Sequence, residues 1–367
     1  RGLGDVYKRQ ILLIMLCWGL DVQGGTGKKL KYIDAEELTI VNKTQPVGPK
    51  LQRLDVERYP QLSKKLKEYF SYSTGLAVAF KTNSTNIHVK WKTTEEATSV
   101  NTTLITQSGM DLYIRRDNEW VFAGIATPTW KNQHHSPVVE NMDNLEKECL
   151  LYLPLFNCLD SLQIGVDEDA ELEAFPDVFH RKVVVIGSSI THGASASRPG
   201  TAYPARLNRA LNVEFTNLGA CGLCRMEDFY AKIAGDTRAD AFLFDTFSNP
   251  SPTQIEERLP VFIARIRDKH PETPLIFLQT EIRETGNFDL KKRDYEYRKR
   301  TSAEEGMKKI KDAGYENVYF INPGIVLGKD HEATTDGVHP SDAGFDRMVN
   351  ALLPQLNKIL QKHGITY

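Results

Sequence analysis

The chain is expected to fold as an α/β protein, a three-layer doubly wound parallel sheet preceded by an all-β sandwich of jelly-roll type. Two observations support this reading. Over about 30–175, apolar and polar residues alternate in short segments bounded by turn residues; after about 178, wholly apolar runs alternate with amphipathic stretches. The composition allows both parts, since 367 residues with 41% hydrophobic and 26% charged side chains suffice for two full cores.

In the first part, "GLAVAFKT", "NIHVKWKT", "MDLYIRR", "WVFAGIA", "CLLYLPLF" and "SLQIGV" read as strands. Leu76, Val78 and Phe80 alternate with other residues, as do Ile87, Val89 and Trp91, the period of two of antiparallel strands with one buried face. One helical piece, "YPQLSKKLKEYF", interrupts near the start, and the acidic "DEDAELEAFPD" serves as a linker. The second part offers "KVVVIG", "VEFTNLG", "AFLFDT", "PLIFLQT" and "NVYFINP" as strands. Runs apolar throughout, each followed by a helix, imply a parallel sheet covered on both faces. "LKKRDYEYRKRTSAEEGMKKIKDAG" reads as one solvated helix without a binding role. The expected division is 26–177 for the sandwich and 178–367 for the α/β domain.

Ahead of these, residues 1–10, "RGLGDVYKRQ", read as a sequencing or cloning scar, and 11–25 as a signal peptide whose apolar run "ILLIMLCWGL" is too short to span a membrane. Export to the periplasm or beyond follows as an expectation. Leu16 before Cys17 argues against lipidation. A net charge of −2 leaves no footprint for nucleic acid or an anionic membrane. Cys221 and Cys224 form a C-x-x-C read as packing residues or a local disulfide, and Cys149 and Cys158 could pair across a hairpin. The adjacent histidines of "NQHH", 132–135, lack a companion at ligand spacing and read as a polar loop, so no metal or cofactor is called for.

Chemistry in an open α/β sheet sits at the carboxyl ends of its strands. "VVVIGSSITHG", 183–193, ends such a strand in two serines. Far downstream, "TTDGVHPSDAGF" carries Asp336 and His339, a spacing that lets the carboxylate accept the imidazole Nδ1–H and free Nε2 to take a serine proton. "NLGACGLC" offers the Gly222 backbone and "DTFSNP" the Asn249 amide as donors to an oxyanion.

With these four blocks in order, the chain resembles the SGNH/GDSL hydrolases, most closely bacterial two-domain members whose β-rich N-terminal domain carries a Gly-x-Asp-Leu-Tyr signature, here "GMDLY". The resemblance makes Ser189 the nucleophile, Asp336 and His339 its partners, and Ser189, Gly222 and Asn249 the oxyanion hole. Ser188 stands where the family has aspartate, and Phe247 where it has a glycine two residues before the asparagine. The resemblance further implies an esterase acting on short acyl esters, O-acetylated carbohydrate first. The alternatives are a lipase-like or general acyl esterase and a catalytically silent glycan-binding protein. Arg198, Asp111 and Tyr113 are candidate substrate contacts, and Trp91, Trp120 and Trp130 are candidate sugar platforms or core residues. Oligomeric state is not legible.

Overall fold

The computed structural model describes residues 29–366 apart from 97 and 325, so the expected scar and signal segment lie outside the described residues. The first half runs β1 (Leu30–Asp34), β2 (Thr39–Val41), α1 (Lys64–Ser71), β3 (Ala77–Thr82), β4 (Ile87–Thr93), α2 (Leu104–Ser108), β5 (Met110–Arg116), β6 (Glu119–Ala126), β7 (Gln133–Val139), β8 (Lys147–Tyr152), β9 (Leu159–Asp167) and β10 (Leu172–Ala174). Two antiparallel sheets result, ordered β1-β9-β4-β7 and β10-β3-β8-β5-β6, with β2 beside β3. Val78, Phe80 and Leu112 of one sheet meet Val89, Trp91 and Ile164 of the other in a single buried core. This is the alternation read from the sequence, with the apolar residue of each pair turned inward.

Two segments differ from expectation. "NQHH" is not a loop: it opens β7, where His134 turns inward and stacks on Trp91 at 4.7 Å between ring centroids while His135 faces out. Two adjacent histidines hide the period of two, because one of them is a core residue. The acidic linker contributes β10, which pairs with β3 over Leu172–Ala174 and extends the sheet.

The second half runs β11 (Lys182–Gly187), α3 (Ser189–His192), α4 (Tyr203–Leu211), β12 (Glu214–Gly219), α5 (Asp228–Asp236), β13 (Ala241–Asp245), α6 (Pro252–Arg267), β14 (Leu275–Leu278), α7 (Leu290–Asp312), β15 (Val318–Ile321) and α8 (Asp342–Lys362). Its sheet is parallel throughout, in the order β12-β11-β13-β14-β15. Val183 and Val185 of β11 pack with Tyr203 and Leu207 of α4 and Phe345 and Leu352 of α8. Val184 and Ile186 point the other way, toward Ile233 of α5, Leu259 of α6 and Met307 of α7. A strand with helices on both faces has no polar side, which is why "KVVVIG" reads as one apolar run.

The halves are not packed at a single seam. Leu54, Tyr59, Leu62, Leu66 and Phe70, on and before α1, belong to the same core as Phe242 and Phe244 of β13. The Asn42 side-chain oxygen accepts the Phe215 N–H of β12 at 3.0 Å, which occupies part of the free rim of that edge strand. Arg53 is fully buried and donates to the carbonyls of Asn217 and Tyr69, at 2.9 and 2.7 Å, and burial pushes its pKa down to about 9. The four described cysteines are free thiols, the packing alternative of the two read for Cys221 and Cys224; Cys149 packs in the sandwich core and Cys224 in the parallel-sheet core.

Candidate active site

The parallel sheet reverses its order between β11 and β13, which opens a crevice at the carboxyl end of β11. The last residue of that strand is Gly187, and a Cβ there would stand 1.9 Å from the Thr191 hydroxyl, which folds back over the turn. Ser188 follows, buried, and its hydroxyl caps α3 by accepting the Ile190 N–H at 3.3 Å. Ser188, in the place of the family's aspartate, thus serves as a helix cap. Ser189 is the serine that opens on solvent.

Its Oγ lies 2.8 Å from His339 Nε2, and His339 Nδ1 lies 2.7 Å from Asp336 Oδ2, joining positions 150 residues apart. Asp336 Oδ1 accepts the Val338 and His339 backbone N–H groups at 3.0 and 2.8 Å, so the turn itself orients the carboxylate. Burial acts to raise the Asp336 pKa, but hydrogen bonds from the His339 backbone, the His339 ring and the Asn101 amide outweigh it and hold the carboxyl well below its usual range. Asp336 is thus an anion at neutral pH, as an orienting partner of an imidazole must be.

Beside the serine is a cleft of about 540 Å³ lined by Gly222, Asn249 and His339 from the second half and by Tyr69, Glu95 and Asn101 from the first. Gly222 holds φ at +68°, a left-handed conformation that a side chain would strain. Asn249 gives one amide hydrogen to the Leu223 carbonyl, and an amide nitrogen carries two, so a second donor remains. Phe247, the residue in place of the family's glycine, is fully buried against Phe277 and leaves Asn249 at the cleft. Truncation by Asn249→Ala is expected to lower kcat about 100-fold with KM little changed, the signature of a donor that acts on the transition state, measurable by steady-state ester hydrolysis.

The Asn249 loop has a support that the sequence reading missed. Lys299 of α7 is 1% exposed, pairs with Glu296 at 2.7 Å and donates to the Ser248 carbonyl at 2.8 Å; Arg283 donates to the same carbonyl at 2.9 Å. The helix read as wholly solvated has a buried stripe through Glu296, Lys299, Ala303, Met307 and Ile310. Its helical spacing was visible in the sequence but is masked by two charged members. His192, at the far end of α3 from Ser189, was also missed. It is fully buried, stacks on Phe156 at 4.2 Å and lies 2.7 Å from the Leu155 carbonyl; burial pushes its pKa well below the ordinary value, so it braces the turn as a neutral ring.

Arg198, Asp111 and Tyr113 meet one another rather than Ser189. Arg198 Nη1 donates to Asp111 Oδ2 at 2.7 Å and to the Tyr113 hydroxyl, and the Gly200 N–H donates to Asp111 Oδ1 at 2.8 Å. The guanidinium also lies 4.2 Å over the Phe122 ring. None of the three lines the cleft, so in place of the expected substrate contact they form a latch between the halves. Trp91 is core and Trp130 is 75% exposed; neither, nor Trp120, lines the cleft.

A serine, an imidazole and a carboxylate in this sequence of contacts, beside paired amide donors at the carboxyl edge of an open sheet, define the class of serine-dependent acyl hydrolases. Residues 180–357 match the GDSL-like lipase/acylhydrolase family, and 30–172 match the GxDLY domain described as the N-terminus of SGNH-hydrolase-type esterases. A GDSL-like lipase of Bacteroides ovatus, solved by crystallography, is 44% identical over 91% of this chain and 98% of its own, with a TM-score of 0.88. The chain therefore belongs to the GDSL-like lipase/acylhydrolase family of SGNH esterases. Two more distant structures share the fold. A salicylyl-acyltransferase from a tetracycline biosynthetic pathway is 15% identical over 90% of this chain and 97% of its own, TM-score 0.69. A family two carbohydrate esterase of Cellvibrio japonicus is 14% identical over 91% and 99%, TM-score 0.62. No curated protein matches the chain.

Proposed function

We propose that this protein is an exported serine esterase that removes short acyl groups, acetyl first, from carbohydrate. The observation that carries the proposal is the line of contacts from Asp336 through His339 to Ser189, ending in a cleft open to solvent. Ser189 Oγ attacks the ester carbonyl carbon as His339 Nε2 takes its proton. The resulting oxyanion accepts hydrogen bonds from the Ser189 and Gly222 backbone N–H groups and the Asn249 amide. Collapse breaks the carbon–oxygen bond to the sugar, and His339 returns the proton to that leaving oxygen. Water, deprotonated by His339, then releases the acid from Ser189.

The cleft walls support a hydroxyl-rich substrate. Glu68, Glu95, Thr98 and Ser99 supply donors and acceptors, and Tyr69 an aromatic ring. The family two carbohydrate esterase shares this fold at 14% identity. The apolar segment at 11–20 supports export.

The test is acetate release from acetylated xylan oligosaccharides, beside nitrophenyl esters from acetate to decanoate. Acetate release with a steep fall in rate toward longer chains is the expected outcome. Preference for decanoate would replace the carbohydrate reading with a lipase-like one, and binding of polysaccharide without hydrolysis of any ester would replace it with a glycan-binding one.

A further inference from the structure

We infer that Asn101, supplied by the sandwich half, is a positioning residue for Asp336, so that the catalytic constellation is completed across the two halves; this rests on the esterase reading above. The Asp336 carboxylate has two oxygens, each able to accept two hydrogen bonds. Oδ1 is filled from its own turn, by Val338 and His339. Oδ2, the oxygen that faces the imidazole, receives His339 Nδ1 at 2.7 Å and Asn101 Nδ2 at 2.9 Å. Among the described residues, Asn101 is therefore the side chain other than His339 that holds this carboxylate, and it comes from 235 residues away.

The orientation of the Asn101 amide is set by its neighbours. Its Oδ1 accepts the Ser99 and Thr102 hydroxyls at 2.9 and 3.3 Å, which leaves Nδ2 as the end that meets Asp336. The segment bearing it is fastened to the loop that follows the nucleophile helix. The Asn101 carbonyl accepts the Ser195 hydroxyl at 3.0 Å, the Thr102 hydroxyl accepts the Ser195 N–H at 3.4 Å, and the Thr106 hydroxyl donates to the Ala196 carbonyl at 2.7 Å. Asp336 itself is one-third exposed and its turn grips only Oδ1, so rotation about the terminal carboxylate bond is opposed at Oδ2 by Asn101. An imidazole whose orienting carboxylate turns away loses the tautomer and direction that proton transfer from serine needs.

Two variants separate positioning from architecture. Asn101→Ala removes the donor. Asn101→Asp keeps the shape and the oxygen that accepts from Ser99 and Thr102, but sets an acceptor against Asp336 Oδ2. Both leave the backbone carbonyl that receives Ser195. The measurements are kcat and KM on nitrophenyl acetate, the rate of Ser189 labelling by a fluorophosphonate, and the melting temperature. We expect kcat and the labelling rate to fall about 10- to 100-fold in Asn101→Ala, on the scale set by hydrogen-bond partners that orient metal-binding side chains, and further in Asn101→Asp. KM should stay within about twofold of wild type, and melting should be unchanged, because a group acting only through His339 alters transition-state stabilisation and not substrate binding. Wild-type kcat and labelling rates in both variants would overturn the inference and leave the esterase reading intact. A clear fall in melting temperature with unaltered kcat of the folded enzyme would also overturn it, reducing Asn101 to a structural contact. A wild-type enzyme that neither hydrolyses esters nor labels at Ser189 would overturn the esterase reading and this inference together.

Discussion

Replacing Ser189 by alanine is expected to lower kcat on nitrophenyl acetate by a factor on the order of 10⁴ to 10⁶, with KM little changed. The basis is geometric: Ser189 Oγ is the atom 2.8 Å from His339 Nε2, and Ser188, which has the same chemistry, is buried in a cap bond and does not face the cleft. Ser188→Ala should therefore cost stability, about 1 kcal/mol as for other helix caps, and leave most of kcat. The members of such a unit act together, so Ser189→Ala combined with His339→Ala should be no slower than Ser189→Ala alone. Additive losses would mean that His339 serves some step other than activating this serine. Full activity in Ser189→Ala would remove the nucleophile assignment altogether.

Asp111→Ala is expected to destabilise the protein by about 3 to 5 kcal/mol, the range found when one partner of a buried ion pair is removed. Asp111 is fully buried and accepts both the Arg198 guanidinium, at 2.7 Å, and the Gly200 N–H, at 2.8 Å. Without it, a guanidinium that is 25% exposed loses its counter-charge and a buried backbone donor loses its acceptor. Denaturant unfolding of Asp111→Ala, Arg198→Ala and the double variant would measure the coupling. A coupling near zero would mean that the Gly-x-Asp-Leu-Tyr signature is not maintained by this pair. The latch holds the loop at 198–200, just beyond the 195–197 contacts to the sandwich half, so a lower kcat should accompany the loss of stability.

The parts legible in the sequence were those governed by local pattern. Val183–Ile186 and Phe242–Phe244 announced buried parallel strands because both faces of such a strand are covered, and that demand falls on consecutive residues. Ser189, Asp336 and His339 were legible because short motifs carry them, one at the end of β11 and one in the turn before α8, and the structure joins the three by hydrogen bonds in series. What stayed hidden depends on partners remote in the chain. Lys299 looks like one more surface charge until the Ser248 carbonyl is beside it. His134 looks like half of a polar pair until Trp91 is under it. Arg198 was placed near Ser189 on proximity in sequence, yet its side chain leaves in the other direction, toward Asp111. Asn101 carries no motif at all, and only the packing of the two halves brings it to Asp336.

Leu54, Tyr59, Leu66 and Phe70 lie early in the chain but are buried with Phe242, Phe244 and Phe262 of the parallel-sheet half. The two regions recognised separately by family comparison are consequently not interchangeable modules. Expression from residue 178 onward would present water with the apolar face those side chains normally cover, and the product should be insoluble or molten rather than a minimal esterase. Transplanting the sandwich from a relative would succeed only if the segment around α1 travelled with the sheet it packs against and not with the sandwich.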